Sequence, residues 1–522
     1  MRGFALGCEA AAASDQWRAN KTHNPPASAR SGWGRLLLDE MFAACQSVGP
    51  MLSLRGPLDP LQRRRLELNI ALMPVYVWLI FAWTAYAIDI SPAGKLDRAG
   101  HIKGHDFAHF YVLGQIANDR SGKELYSFEQ QATRMDRLVP EYQNRFLPVY
   151  GPQVAMLFAP LARLPYTIAV ACWLAATVII YGTCCYAIWR MLPALHRYRW
   201  ESFAVCAAFP PFYSLVASGH ITALPLACCT VAFFAFRAKR ELAAGFLLGL
   251  LFLKPALGLI LPFVFFYNRA WRLIAGAMIA VLLQLAAAAL LFGVDVLASY
   301  WNVVTQLGAT AGLLEPHPYE MHSLRSFFSI LLPWPRAALV AYVISAALVV
   351  WLALAVWRTD KPHEIRYSVL LIAMVLVDPH VNAYDLVIIA PALLVSVAVA
   401  VVDASPSSRA LLWLVYAVYF FPALPAIAEY TRIQASVPML VAIVYWLHRR
   451  NCNVTAGLKP RRRYSRDHGP GKHRCPTASG STWRNDAIES RAKMTERGPM
   501  KIGLQPSLGS RLAIGRCFGT QT

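Results

Sequence analysis

The chain contains no Cys-x-x-Cys pair, no Gly-x-x-x-x-Gly-Lys-Ser/Thr loop, no Gly-x-Gly-x-x-Gly fingerprint and no His-Glu-x-x-His. The usual carriers of structural zinc, ATP, dinucleotide and zinc-hydrolase chemistry are therefore missing. Acidic residues are scarce, 29 against 50 Lys and Arg, and charged residues reach only 15%. The resulting surplus does not point to nucleic acid. The tail from Arg449 to Thr522 alone holds 16 basic and 4 acidic residues, which is 12 of the net +21, and a basic tail outside apolar spans suits an anionic membrane surface. Eleven cysteines are present, but Cys172, Cys184, Cys185, Cys206, Cys228 and Cys229 lie inside apolar runs and read as small packing residues.

What the chain has in excess is apolar sequence, 57% with a mean hydropathy of +0.40, arranged in runs and not in amphipathic stripes. This predicts an all-α polytopic membrane protein of roughly ten to thirteen membrane segments with two external loop regions. Residues 1–62 read as a poorly ordered cytoplasmic extension, 63–448 as the membrane domain, and 449–522 as a disordered basic cytoplasmic tail. Arg63-Arg64-Arg65 before the first run places the N-terminus inside by the positive-inside rule, and alternation of the later basic loops returns the C-terminus to the same side. Two segments break the pattern. The run interrupted by Pro160 and Pro165 is too short to cross about 30 Å and predicts an interfacial or re-entrant piece. Lys254-Pro255 lies mid-run in 242–267 and predicts a broken helix or tight hairpin. Residues 294–336 are expected to form the second external loop.

On this topology the titratable clusters share the external side. They are His105-Asp106 with His109, Tyr126, Tyr150, His220, the loop holding Glu315, His322 and Arg325, and Asp378 to Asp385 with His380 and Tyr384; Lys254 reaches them from the broken helix. Charged side chains beside spans are costly unless paired or used, so their convergence suggests a site. An external enzyme cannot draw on cytoplasmic nucleotide sugars. A lipid-phosphate donor fits instead, with Lys254, Arg325 and His220 to contact its phosphate and Asp106 as a base for an acceptor hydroxyl. The other clustered residues would contact substrate. No metal or other cofactor is required, although Asp106 or Glu315 is able to ligate a divalent ion.

The ordered motifs Asp106-Phe107 with Tyr111, Gly122-x-x-Leu125-Tyr126, Tyr150-x-Pro152, Pro160-Leu161-Ala162, Leu164-Pro165, Gly219, Ala244-Gly245 with Gly249, Lys254-Pro255, Ser323-Leu324, Asp378-Pro379 and Tyr384-Asp385-Leu386 resemble glycosyltransferase family 87 over about residues 68–448. That family comprises polyprenol-phosphate-mannose-dependent α-mannosyltransferase-like proteins of the GT-C class. The resemblance implies a GT-C membrane fold and an inverting transfer in which Asp106 deprotonates the acceptor. The chain departs from the pattern at His220, where Gln is common, and at Gly151, where Pro is common. The expected partners are membrane lipids, a polyprenyl-phosphate sugar with mannose as its hexose, and a glycan or glycolipid acceptor at the periplasmic face of the inner membrane, with no nucleic acid. The alternative class is a transporter or flippase, which would show internal repeats with paired broken helices.

Overall fold

A computed structural model of the chain describes residues 59–140, 146–314, 317–403 and 405–449. Nearly all of the two expected terminal extensions, and Glu315, lie outside the described residues. Among those described there are α-helices and short 3-10 turns, with one isolated antiparallel bridge between Leu96 and Ile102. The first helix among the described residues is α1 (Pro60–Ala71), bent by 45° into α2 (Met73–Asp89). A polar segment then holds α3 (His105–Asn118) and α4 (Phe128–Leu138), followed by α5 (Pro152–Phe158), α6 (Tyr166–Arg190), α7 (Arg199–Ala207) and α8 (Pro210–Ser218). Next come α9 (Ala223–Arg237), α10 (Glu241–Gly249), α11 (Leu261–Tyr267), α12 (Trp271–Phe292) and α13 (Asp295–Leu314). The last set is α14 (Leu324–Leu331), α15 (Pro335–Trp357), α16 (His363–Val377), α17 (Ala390–Asp403), α18 (Pro406–Phe420), α19 (Pro425–Thr431) and α20 (Ser436–Arg449).

By length and hydropathy four helical stretches are able to cross a bilayer: α6, α12, α15 and Ala383–Asp403, which leads into α17. Counting bent pairs raises this to six. The other expected segments are helices of 15 residues or fewer. Proline accounts for several of the breaks, since it lacks the N–H for the ladder and disfavours helix at the residue before it. Pro210 splits the run 202–218 into α7 and α8, and Pro425 turns α19 by 88° from the helix before it. Helix ends at membrane depth are tolerated where protein covers them. Residues 294–336 are more ordered than a loop, because they contain α13 and α14.

Two apolar cores organise the bundle. The larger surrounds α16, whose residues Val369–Val377 are all buried, and takes in α9, α17 and α20. The smaller is built on α3, with Phe107 and Phe110 packed on Phe158 and Phe107 also stacked on Trp173. Close approach of α10 to α12 depends on Gly245, where an added Cβ would lie 2.0 Å from the Leu273 carbonyl oxygen. The expected broken helix is present: α10 passes through a 3-10 turn to Leu253, Lys254 leaves helical geometry at φ −139°, and Pro255 starts the next turn.

Candidate active site

The site forms where helix ends meet. α3 begins at Gly104, α8 ends at Gly219, α9 begins after Thr222, α16 ends before Asp378, and Asn382 opens the 3-10 turn carrying Tyr384 and Asp385. Gly219 adopts φ +70°, and a Cβ there would sit 2.9 Å from the Phe107 Cβ. Only glycine allows both that conformation and that contact, so the first turn of α3 is pressed against the His220 loop. The Trp173 indole donates to the Gly219 carbonyl at 2.8 Å, and the Tyr166 hydroxyl to the Lys103 carbonyl at 2.6 Å, fixing the two backbones.

Asp385 is the polar hub. It is fully buried, and its Oδ1 accepts from Lys254 Nζ at 2.5 Å and from Thr222 Oγ1 at 2.6 Å, while Oδ2 accepts the Asn382 N–H at 3.0 Å. A buried carboxylate persists when charge and hydrogen bonds are both supplied. The chain of contacts continues outward. Thr222 Oγ1 lies 2.7 Å from His220 Nδ1, and His220 Nε2 lies 2.9 Å from the Tyr150 hydroxyl. The His220 ring stacks on Tyr384 with centroids 4.1 Å apart, and Lys254 Nζ lies 5.6 Å from the centre of the same Tyr384 ring. Burial, then the Lys254 charge, holds His220 well below the ordinary imidazole range, so the ring is neutral. Burial pushes the Tyr150 phenol well up, with Asp106 and Asp385 adding to it.

Asp106 occupies the first turn of α3, where an acid complements the helix dipole. Its side chain keeps 16% of its surface, and His105 Nε2 stands 3.6 Å from Oδ1. Oδ2 is buried and has no hydrogen-bond partner. Burial raises this carboxyl above its usual range; His105 pulls against the rise, the Asp385 charge adds to it, and Lys254 and Ser218 oppose it more weakly. Asp106 and Asp385, 279 positions apart, thus share one electrostatic neighbourhood. Asp378 completes it. Burial lifts its carboxyl to about 7, the Lys254 charge works against that, and Oδ1 accepts the His380 N–H at 2.8 Å while Oδ2 is buried without a partner. His380 is half-buried and near enough to act on His220.

The structure therefore brings together Asp106, His105, Tyr150, His220, Lys254, Asp378, His380, Tyr384 and Asp385. His322 lies at the margin, buried, with its N–H on the Val381 carbonyl and Nδ1 2.9 Å from Ser436 Oγ; burial lowers it to about 4. Arg325 is in the first turn of α14, where its charge and that of Asp378 both reach Tyr342. Two expected residues point elsewhere. His109 is one turn on from Asp106 but is buried against Gln131 at 3.1 Å and Phe146 at 4.8 Å, and burial lowers it to about 4. Tyr126 packs on Tyr300 and donates to the Tyr150 carbonyl at 3.3 Å. Sequence reasoning passed over Thr222 and Ser218. Thr222 stands at a helix start, where Thr usually caps, yet it makes no cap bond and gives its hydroxyl to Asp385. Among the described residues there is no cluster of three or more His, Cys, Asp or Glu able to hold a metal ion.

The fold and this buried acid, base and cation set define a polytopic helical membrane protein with a site built at helix ends. Residues 147–379, a little under half of the chain, match the family model described as Glycosyltransferase family 87, which supports membership of that family. The match indicates a membrane glycosyltransferase. The match includes Tyr150, His220, Lys254 and Asp378, while Asp106 precedes it and Asp385 follows it. No curated protein and no solved structure matches the chain.

Proposed function

We propose that the protein transfers a hexose, mannose in the first instance, from a polyprenyl phosphate to an acceptor hydroxyl with inversion, at the periplasmic face of the inner membrane. In this reading Asp106 Oδ2 takes the acceptor proton as the hydroxyl oxygen attacks the anomeric carbon. The bond from that carbon to the phosphate oxygen breaks, and its electron pair leaves with the polyprenyl phosphate. A single displacement inverts the anomeric centre. Lys254 steadies the leaving phosphate: an ammonium has three N–H donors, and Asp385 takes one of them. A carboxyl raised by burial and by a neighbouring acid is a stronger base than a solvated one.

One observation carries the reading. Asp106 presents a buried oxygen with no protein partner, within the electrostatic reach of a lysine that is itself held in place by a second carboxylate. His105, Tyr150, His220, His380 and Tyr384 would line the sugar and acceptor positions, with His322 and Arg325 at the margin. The test is to incubate protein-containing vesicles with labelled polyprenyl-phosphate mannose, glucose and a pentose. Release of polyprenyl phosphate together with a glycosylated product, greatest for mannose, is the expected result. Movement of label across the membrane without bond cleavage would indicate a carrier and overturn the proposal.

A further inference from the structure

The end of the bundle away from the carboxylates carries polar groups for which sugar transfer has no use. His220 and Thr222 precede α9 and Asp378 follows α16, so Arg237 and His363 mark the far ends of these two 15-residue helices, about 20 Å off at about 1.5 Å per residue. At that end α9, α10, α11, α12, α15 and α16 surround a narrow apolar cleft with a cavity volume of about 40 Å3, widening to about 500 Å3 when the open space at its mouth is counted. Phe233, Leu248, Phe265 and Leu371 line it with nothing to hydrogen-bond. Two further lining residues behave otherwise. Trp357 Nε1 and Arg366 Nε are buried N–H donors with no acceptor. Buried donors are seldom left in that state.

The charges around the cleft favour an anion. Arg366 donates another N–H to the Thr359 carbonyl, and Glu364, the adjoining acid, faces Arg237 at 3.7 Å. His363 also lines the cleft and feels Arg366, Glu364 and Arg237. Nearby on α11 and α12, Phe266, Tyr267 and Trp271 are exposed, and the Arg358 guanidinium sits 4.1 Å over the Tyr267 ring. Exposed aromatics with arginine are what a membrane–water interface selects.

We propose that this cleft binds an anionic glycerophospholipid of the bilayer, at a site separate from the one that handles sugar. The end of an acyl chain enters between Phe233, Leu248 and Phe265, and the rest of the chain lies along the open mouth. The phosphodiester oxygens accept from Arg366 Nε and Trp357 Nε1, the charge-assisted pairing a guanidinium favours. A free phosphate would leave the apolar walls empty, so the chain and the headgroup must come together. The inference stands whether or not the transfer reaction is assigned correctly.

Native mass spectrometry of the purified full chain in detergent, titrated with phosphatidylglycerol, tests it. Phosphatidylcholine, polyprenyl phosphate and inorganic phosphate serve as comparisons. Wild-type protein is expected to retain phosphatidylglycerol in preference to phosphatidylcholine, and inorganic phosphate is expected not to displace it. Arg366→Gln should weaken retention by about tenfold, the worth of one charge-assisted bond. Leu248→Trp leaves Arg366 and its Thr359 contact intact and should give a similar loss by filling the cleft, which keeps the test in force if Arg366→Gln does not fold. Equal retention by wild type and variants, equal retention of phosphatidylcholine, displacement by inorganic phosphate, or binding of polyprenyl phosphate alone would each overturn the proposal.

Discussion

Lys254 Nζ and Asp385 Oδ1, 131 positions apart in the chain, lie 2.5 Å from each other with the carboxylate fully buried. The contact joins the break after α10 to the turn before α17, and through Thr222 it also fixes His220. Removing one member of a buried pair leaves an uncompensated charge, typically worth about 3–5 kcal/mol, whereas replacing both with apolar residues can be close to neutral. Lys254→Met and Asp385→Leu should each lower the unfolding temperature in detergent markedly. The double substitution should recover much of that loss while remaining inactive, and additive losses in the double-mutant cycle would contradict the pairing.

Asp378 gives a pH dependence whose sign follows from burial. Its folded carboxyl titrates near 7 against 3.8 for a free one, so the fold favours the protonated form. The associated stability is complete below about pH 4 and is lost as pH rises towards 7. Asp378→Asn keeps an oxygen for the His380 N–H and removes the titration. Urea or thermal unfolding of this variant should therefore be flatter from pH 4 to 8 than wild type, and more stable at the alkaline end. An unchanged slope would mean that Asp378 is ionised throughout.

Gly219 tests whether the approach of α3 to the His220 loop matters. With φ +70° and Phe107 Cβ 2.9 Å from the would-be side chain, Gly219→Ala meets both backbone strain and a clash. A loss of more than about 1 kcal/mol is expected from the conformation alone. Gly182→Ala, with nothing within 4 Å and a helical backbone, should be tolerated. Equal tolerance at both positions would remove the argument that glycine sets this contact.

Much of the architecture was legible in the amino-acid order because it follows from local rules. Lys254-Pro255 announced a broken helix through proline chemistry, and the structure has one. The apolar runs announced helices. What could not be read was how short many of them are, since a run such as 202–218 looks continuous in hydropathy and is split only by the backbone consequence of Pro210. The site was partly legible for a similar reason. Asp378 and Asp385 stood out as acids beside apolar sequence, and both are buried in one neighbourhood. His109 stood out equally, yet one helical turn carries it away from Asp106 to Gln131. Thr222 gave no signal, because a threonine before a helix resembles an ordinary cap and only the tertiary fold supplies Asp385 as its partner.

Thr222 now becomes a sharp probe of that hidden link. Thr222→Val keeps the shape and removes the hydroxyl shared by Asp385 and His220. Unlike a change at the reacting atoms, it should lower turnover by about tenfold with a smaller effect on the substrate concentration needed, the size expected for one buried hydrogen bond to a charged group. Thr222→Ser should restore most of the activity. Failure of serine to rescue would assign Thr222 to packing alone.

The central claim is that Asp106 accepts the acceptor proton, and the direct measurement compares wild type with Asp106→Asn in single-turnover transfer from labelled polyprenyl-phosphate mannose across pH. The account predicts a wild-type rate that falls as pH drops through a carboxyl lying above the ordinary aspartate range. It also predicts that the Asn variant binds donor normally and turns over at least about a hundredfold more slowly, without that pH limb. A correctly folded Asn variant with wild-type rate and the same pH profile would contradict it.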